Sequence, residues 1–116
     1  MRTLPVAGVA IFASIAAALA AALAPNDIQT TFFTGQAFTA SATNIKYKMV
    51  FTADGKMTRE PVGGGGSKSE GTWKLSKDGF CTTWKGSKAN CYRIETAGDN
   101  KWSVRKGTTT VATWTK

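Results

Sequence analysis

Turn signals recur along this chain from residue 53 onward and constrain its fold more than any other feature. They are ADG at 53–55, DG at 78–79, KGSKAN at 85–90, AGDN at 97–100 and KG at 106–107. Short runs rich in Thr, Val, Trp, Tyr and Phe lie between them, and no long amphipathic helical pattern intervenes. Such runs, separated by turns every eight to twelve residues or so, are typical of antiparallel sheets. The pattern therefore predicts an all-β meander.

The same spacing predicts about eight strands. They lie near residues 37–41, 46–52, 56–61, 71–76, 80–85, 90–96, 101–106 and 109–115. An open sheet of this size would leave two edges of unpaired backbone groups, which promote aggregation. A meander removes those edges when it closes on itself. We therefore expect a small up-and-down antiparallel β-barrel.

A short helix is predicted before the first strand, near residues 26–34. Asn26 or Asp27 could accept hydrogen bonds from its first turn as a cap. Ile28 and Phe32 are four residues apart and would share one apolar face. Gly35 would then end the helix.

Loop lengths predict which strand residues face each other. We expect three-residue loops at 53–55 and 97–99 and a two-residue turn at 78–79, because these lengths keep large apolar groups on one face. The resulting opposed pairs are Phe51 with Met57, Trp73 with Trp84, and Ile94 with Trp102. The predicted inward-facing residues are Tyr47, Met49, Phe51, Met57, Trp73, Leu75, Phe80, Trp84, Tyr92, Ile94, Trp102 and Val104. Trp114 is out of phase with Val111 and fits the last strand only with a bulge.

Cys81 and Cys91 are the only cysteines of the chain. Nine residues separate them, so they do not form a redox CxxC motif, and two thiols in a chain without histidine make a poor zinc site. If Phe80 and Tyr92 face inward, both cysteines face outward from directly opposite positions, within bridging distance. We expect a disulfide across this hairpin, on its outer face.

The N-terminus is typical of an export signal. Arg2 provides a positive charge, and Leu4–Ala24 is an uncharged apolar run that ends in small residues. A run of this length could instead anchor the chain in a membrane. About half of it is alanine, however, and no aromatic or basic residue closes its far end. These features favour a cleaved signal peptide.

Cleavage is predicted between positions 20 and 24. Pro25 disfavours cleavage after Ala24, which leaves the bonds after Ala20 and Ala22. A signal peptide over about residues 1–22 would precede a single barrel domain over 23–116. The mature chain would then have no transmembrane span and would be periplasmic or secreted. Its net charge would be about +7, because the formal charge of +8 includes Arg2, which cleavage removes.

The chain contains no histidine. This absence removes the commonest general base and the commonest metal ligand. It also excludes a Ser-His-Asp site for any of the serines. Asp54, Asp78 and Asp99 lie beside glycines and are explained as turn residues. We expect a protein that is not an enzyme and that uses no cofactor or metal.

Basic residues dominate the predicted outer face. They are Lys46, Lys48, Lys74, Lys85, Arg93, Lys101 and Arg105. A solvated face that keeps the barrel soluble is one interpretation. The other is a surface that attracts an anionic envelope polymer or lipid headgroups. Nucleic acid would attract the same charges, but an exported protein is not expected to meet it.

Aromatic residues of the predicted interior form a second candidate site. Trp73, Trp84, Tyr92 and Trp102 could provide a platform for a small apolar ligand, or they could simply fill the core. An eight-stranded barrel is just wide enough for its own side chains or for one small ligand.

Several segments resemble small secreted proteins of Alphaproteobacteria with a lipocalin-like barrel. They are FFTGQAFTA at 32–40, FTADGKM at 51–57, GTWKLSKDGFCTTW at 71–84 and NCYRI at 90–94. The resemblance spans most of the mature chain and implies a lipocalin-like fold and a cell-envelope address, but no catalytic residue. True lipocalins carry a Gly-x-Trp near the first strand, whereas Gly71-Thr72-Trp73 lies mid-chain, so no lipocalin ligand is implied.

Two classes of function remain. The first is a non-catalytic exported barrel that binds an anionic envelope component or a small ligand. The alternative is a secreted inhibitor of a hydrolase such as a protease or a lysozyme, a role that small disulfide-bearing barrels fill in bacteria. Lysozymes are usually basic, so a partner of about +7 would be repelled, which disfavours that version of the alternative.

Overall fold

The computed structural model describes residues 21–63 and 66–116. The predicted signal peptide therefore lies outside the described residues except at its last two positions. One helix, α1, spans Pro25–Phe32. The strands are β1 Phe38–Ala42, β2 Ile45–Phe51, β3 Lys56–Pro61, β4 Ser69–Leu75, β5 Phe80–Trp84, β6 Asn90–Gly98, β7 Lys101–Lys106 and β8 Thr109–Thr115.

The eight strands form a closed antiparallel barrel. Each strand pairs with its neighbours in sequence, and β1 also pairs with β8, where Ala40 lies opposite Trp114. The predicted fold class is confirmed, and closure leaves the barrel without a free edge strand. Across residues 21–63 and 66–116, no helix is both long enough and apolar enough to cross a membrane.

The disulfide is also confirmed. Cys81 and Cys91 are bonded and lie directly opposite each other on β5 and β6. Cys81 is buried and Cys91 is exposed. The bridge therefore ties together two strands that are adjacent in the barrel wall.

Loop 53–55 has the predicted length, but the β4–β5 register was predicted wrongly. Phe51 does lie opposite Met57. In the β4–β5 hairpin the observed pairs are Leu75 with Phe80, Trp73 with Thr82 and Gly71 with Trp84. Trp73 therefore does not face Trp84, and the strands slide by two residues from the predicted register.

Ser76 and Gly79 explain that slide. The Ser76 N–H donates to the Gly79 carbonyl at 2.9 Å, and the Gly79 N–H donates to Ser76 Oγ at 3.1 Å. The turn is therefore centred on Lys77 and Asp78. Gly79 is needed for space, because a Cβ there would lie 2.0 Å from the carbonyl oxygen of Tyr92.

The β6–β7 register differs in the same way. Ile94 lies opposite Val104, not opposite Trp102, which faces Thr96 instead. Asn100 adopts a positive φ of 56°, so the chain reverses at residues 99–100, with a register shift between residues 96 and 98. Asparagine tolerates this left-handed conformation better than most residues.

Both slides are by two residues, so each side chain keeps its predicted face. All of the predicted inward residues lie in the core or against it. The buried ones are Met49, Phe51, Met57, Phe80, Ile94 and Val104. The half-buried ones are Tyr47, Trp73, Leu75, Trp84, Tyr92 and Trp102.

Helix α1 was predicted in the right place but with the wrong ends. Pro25 occupies its first turn, where a missing N–H costs nothing. Ala24 precedes it and provides no side-chain cap, so neither Asn26 nor Asp27 has that role. The helix ends at Phe32, three residues before Gly35. Gly35 has a positive φ of 88°, and its N–H donates to the Phe51 carbonyl at 2.8 Å.

The bulge that Trp114 requires is present in β8. Val104 lies opposite Ala112, whereas Arg105 lies opposite Thr110, so Val111 is an extra residue in the ladder. Val111 is 38% exposed, while Trp114 is only 3% exposed. The bulge resets the alternation and places Trp114 in the core.

Candidate functional site

The two ends of the barrel differ. We call the end with the connections at 43–44, 85–89 and 107–108, and with residues 62–63 and 66–68 between β3 and β4, the open end. The other end, with the loops at 52–55, 76–79 and 99–100 and helix α1, is the closed end.

Helix α1 and the residue after it fill the closed end with apolar side chains. Ile28, Phe32 and Phe33 are each no more than 1% exposed. The Phe33 ring stacks on Phe51, with 4.5 Å between centroids, and lies 4.3 Å from the Trp73 ring. These rings therefore pack directly against one another and form an apolar plug at this end.

A cavity of about 200 Å³ occupies the barrel between this plug and the open end. Its inner wall is apolar and is formed by Met49, Phe51, Phe80, Val104 and Trp114. Nearer the open end, its wall includes Tyr47, Arg59, Thr82, Trp84 and Tyr92. Ligand sites usually combine such an apolar body with a few polar groups.

Arg59 is the charged residue of this cavity wall. It lies on β3 opposite Met49, and it shares the inward face with Met57 two residues earlier. Its guanidinium carbon is 4.3 Å from the centroid of the Trp84 ring and 4.9 Å from that of the Tyr47 ring. These distances are those of cation–π contacts.

The guanidinium of Arg59 is otherwise unengaged. Over residues 21–63 and 66–116, the ion pairs involve Lys48, Arg93 and Arg105 but not Arg59. Aromatic faces do not neutralise its charge or use its in-plane N–H donors. An anion in the cavity could therefore accept hydrogen bonds from it.

Charge is distributed unevenly between the two ends. The open-end loops contain Lys68, Lys85 and Lys88, and their sequences include no Asp or Glu. All aspartates of the chain lie at the closed end, in α1 or in the loops: Asp27, Asp54, Asp78 and Asp99. The loop charges at the mouth of the cavity are therefore positive, and Glu60 and Glu70, on the adjoining ends of β3 and β4, offset part of their attraction for anions.

One closed-end carboxylate has a perturbed pKa. The hydrogen bond that the Thr52 hydroxyl donates to Asp54 is the main reason that the pKa of Asp54 lies below its usual value. The backbone and charge of Lys56 act in the same direction, and the small cost of desolvation opposes them. The Asp54 carboxylate therefore stays ionised at neutral pH and reinforces the negative character of this end.

The predicted basic exterior does not form one surface. Lys46 and Lys85 lie at the open end, whereas Lys74 and Lys101 lie toward the closed end. Lys48 is exposed and lies 3.8 Å from a carboxylate oxygen of Glu60. Ion pairs at such exposed positions are weak.

The two arginines of the predicted exterior share one acid. Arg93 lies 3.7 Å and Arg105 lies 3.9 Å from the carboxylate of Glu95. Both also donate to backbone carbonyls of the turn at 107–108. These guanidinium groups already have partners within the barrel wall and its turn.

The predicted aromatic platform divides into two pairs. Trp84 and Tyr92 line the cavity. Trp102 instead packs edge-on against Phe32, with 4.8 Å between centroids. Trp73 packs on the plug, and its Nε1–H donates to the Thr52 carbonyl at 2.8 Å.

Two cavity residues were missed as site candidates although the sequence contained their signal. Tyr47 was assigned only to the core, and Arg59 was not considered. The alternation that turns Met57 inward also turns Arg59 inward, because the two are separated by one residue on the same strand. A charged side chain at an inward position of a barrel strand indicates a polar site inside the barrel.

The cavity wall combines apolar side chains with one charged group, the guanidinium of Arg59. In the part of the chain that the structure describes, no group of three His, Cys, Asp or Glu side chains could hold a metal ion. An apolar chamber with one guanidinium at its mouth can hold a small molecule that has an apolar body and an anionic group. No protein-family model, curated protein or solved structure matches this chain.

Proposed function

We propose that this chain is an exported, non-catalytic barrel that binds a small ligand in the cavity at its open end. The observation that carries the proposal is the 200 Å³ chamber itself, apolar inside and polar at its mouth, in a barrel plugged at the other end. Barrels of eight strands are wide enough for one small ligand. The scattered exterior cations support an envelope-polymer site less well.

Two features support export. Residues 1–24 have the composition of a signal peptide. The Cys81–Cys91 disulfide would persist in an oxidising compartment such as the periplasm. We therefore place the working protein in the periplasm or outside the cell.

Backbone contacts support cleavage after Ala20 more than cleavage after Ala22. Ala21 forms two hydrogen bonds with Thr96: its N–H donates to Thr96 Oγ1 at 3.1 Å, and its carbonyl accepts from the Thr96 N–H at 2.9 Å. The Leu23 N–H donates to the Ile94 carbonyl at 2.9 Å. A chain that begins at Ala21 keeps all of these bonds, whereas one that begins at Leu23 loses both bonds of Ala21. We expect the mature protein to begin at Ala21. Intact-mass measurement of the periplasmic protein tests this, and a full-length species in the membrane fraction would contradict export.

Binding in the cavity should be visible in tryptophan fluorescence, since Trp84 and Trp114 line it. Mature protein titrated with phenylacetate and with phenylacetamide should saturate with at least one of them, at one molecule per chain. Ala112→Leu should abolish this binding, because Ala112 lines the cavity and a larger side chain would fill it.

Thr113→Leu is the matched control for that variant. Thr113 is the next residue of β8 and is not among the residues that line the cavity. It should bind as the wild type does. If wild-type protein with an intact near-UV circular dichroism spectrum binds neither compound, the proposal is wrong. Recovery of one stoichiometric protein partner from periplasmic extract would then favour the hydrolase inhibitor.

A further inference from the structure

We propose that Arg59 selects a monocarboxylate, and that the ligand is a small aromatic or short-chain aliphatic acid. Its carboxylate would lie against the guanidinium at the mouth, and its apolar body would extend inward toward Phe51 and Trp114. This inference rests on the proposed function and names the class of ligand for the same cavity.

The first argument is the unsatisfied charge of Arg59. An arginine side chain that is half-buried and turned into a barrel loses part of its hydration, a cost that an opposite charge offsets. Within the described residues, each carboxylate that forms an ion pair does so with another base. The missing counter-charge is therefore best supplied by a ligand.

The second argument is the geometry of the guanidinium. Its planar fork of N–H donors matches a carboxylate with two parallel hydrogen bonds. The rings of Tyr47 and Trp84, at 4.9 and 4.3 Å from its central carbon, restrict where that fork can move. A donor that is held in place before binding loses less entropy when the ligand arrives.

The size of the cavity limits the rest of the ligand. A dry protein cavity of about 150 Å³ accepts benzene, whereas drug-sized ligands occupy roughly 300–1,000 Å³. The present cavity of about 200 Å³ holds one ring or a short alkyl chain. Its inner wall of Met49, Phe80 and Val104 offers no polar partner for a second charged group.

The surrounding charges favour the same class. Lys85 and Lys88 lie in an open-end loop without acidic residues and attract an approaching anion. Glu70, which lines a surface recess together with Arg59 and Lys85, offsets part of this attraction. A single guanidinium in the wall balances a single negative charge. These points favour a monocarboxylate over a neutral ligand, a cation or a doubly charged phosphate ester.

Isothermal titration with matched single-ring compounds tests the inference. Phenylacetate should bind wild-type protein about 10- to 100-fold more tightly than phenylacetamide, which has nearly the same shape but no charge. Arg59→Gln should remove this preference, so that the two compounds bind about equally. Arg59→Lys should retain part of the preference, because it keeps the charge but loses the two-point geometry.

Lys48→Gln is the control for net charge. Lys48 is exposed on the outer face beside Glu60, so its removal should leave the preference for phenylacetate intact. The circular dichroism spectrum and the thermal midpoint show whether each variant is folded. If Arg59→Gln does not fold, Arg59→Lys tests the inference instead.

The outcomes separate the two proposals. Equal binding of phenylacetate and phenylacetamide by wild type would overturn the role of Arg59 while the ligand-binding function stands. Tighter binding of phenethylamine or phenyl phosphate than of phenylacetate would also overturn it. If no compound binds the folded wild type, both the inference and the proposed function fail.

Discussion

Phe32→Ala should lower the free energy of unfolding of the mature domain by about 3–5 kcal/mol. Phe32 is 1% exposed and lies at the centre of the closed-end plug. Its ring makes edge contacts with Phe38, Trp102 and Trp114 at centroid distances of 5.1, 4.8 and 4.9 Å. Its removal leaves a cavity that these rings, held by the barrel, cannot collapse to fill.

Urea unfolding followed by tryptophan fluorescence measures this loss. Asn26→Ala is the matched control on the same helix, because Asn26 is exposed and does not cap it. That control should stay within about 0.5 kcal/mol of wild type. A loss of less than about 1 kcal/mol for Phe32→Ala would mean that the barrel is stable without the plug.

Removing the disulfide by the double substitution Cys81→Ala and Cys91→Ala should cost about 2–4 kcal/mol. The bridge joins residues ten apart in sequence and so restricts the unfolded chain. It also reinforces a short ladder, since β5 pairs with β6 only from Phe80 to Thr82. The fold should persist, because the plug and the other ladders do not depend on the bridge.

A reductant provides the internal control for this experiment. Dithiothreitol should destabilise the wild type by a similar amount and leave the double variant unchanged. A thiol assay under denaturing conditions should find no free thiol in wild-type protein purified from the periplasm. Two titratable thiols there would contradict the disulfide.

The sequence predicts strand order and side-chain facing better than it predicts register. Alternation depends only on the apolar pattern, and it correctly turned Met49 and Ile94 inward. Register depends on the detailed hydrogen bonding of each turn. The Ser76 hydroxyl and the left-handed Asn100 each moved a turn by one residue, which slides the pairing by two and leaves every side chain on the same face.

The candidate site was partly predictable for the same reason. Trp84 and Tyr92 could be identified as inward aromatics, and Arg59 follows from the alternation of β3. The position of Trp114 depends on a bulge in β8. The phase of Val111 and Trp114 indicates that bulge, but it does not determine that Val111 is the extra residue. Which aromatic residues contact the plug and which line the cavity depends on where α1 packs. The short apolar face of α1 does not determine its packing position from sequence alone.

Closure of the barrel sets the order in which the chain can fold. The pairing of β1 with β8 joins the first and last strands of the barrel, as in the pair of Thr39 with Thr115. Pairing across nearly the whole domain requires a large loop to close first, which slows folding. A chain that leaves the ribosome N-terminus first therefore lacks this last strand pairing until β8 has emerged, so the barrel cannot close while only β1 to β7 are available.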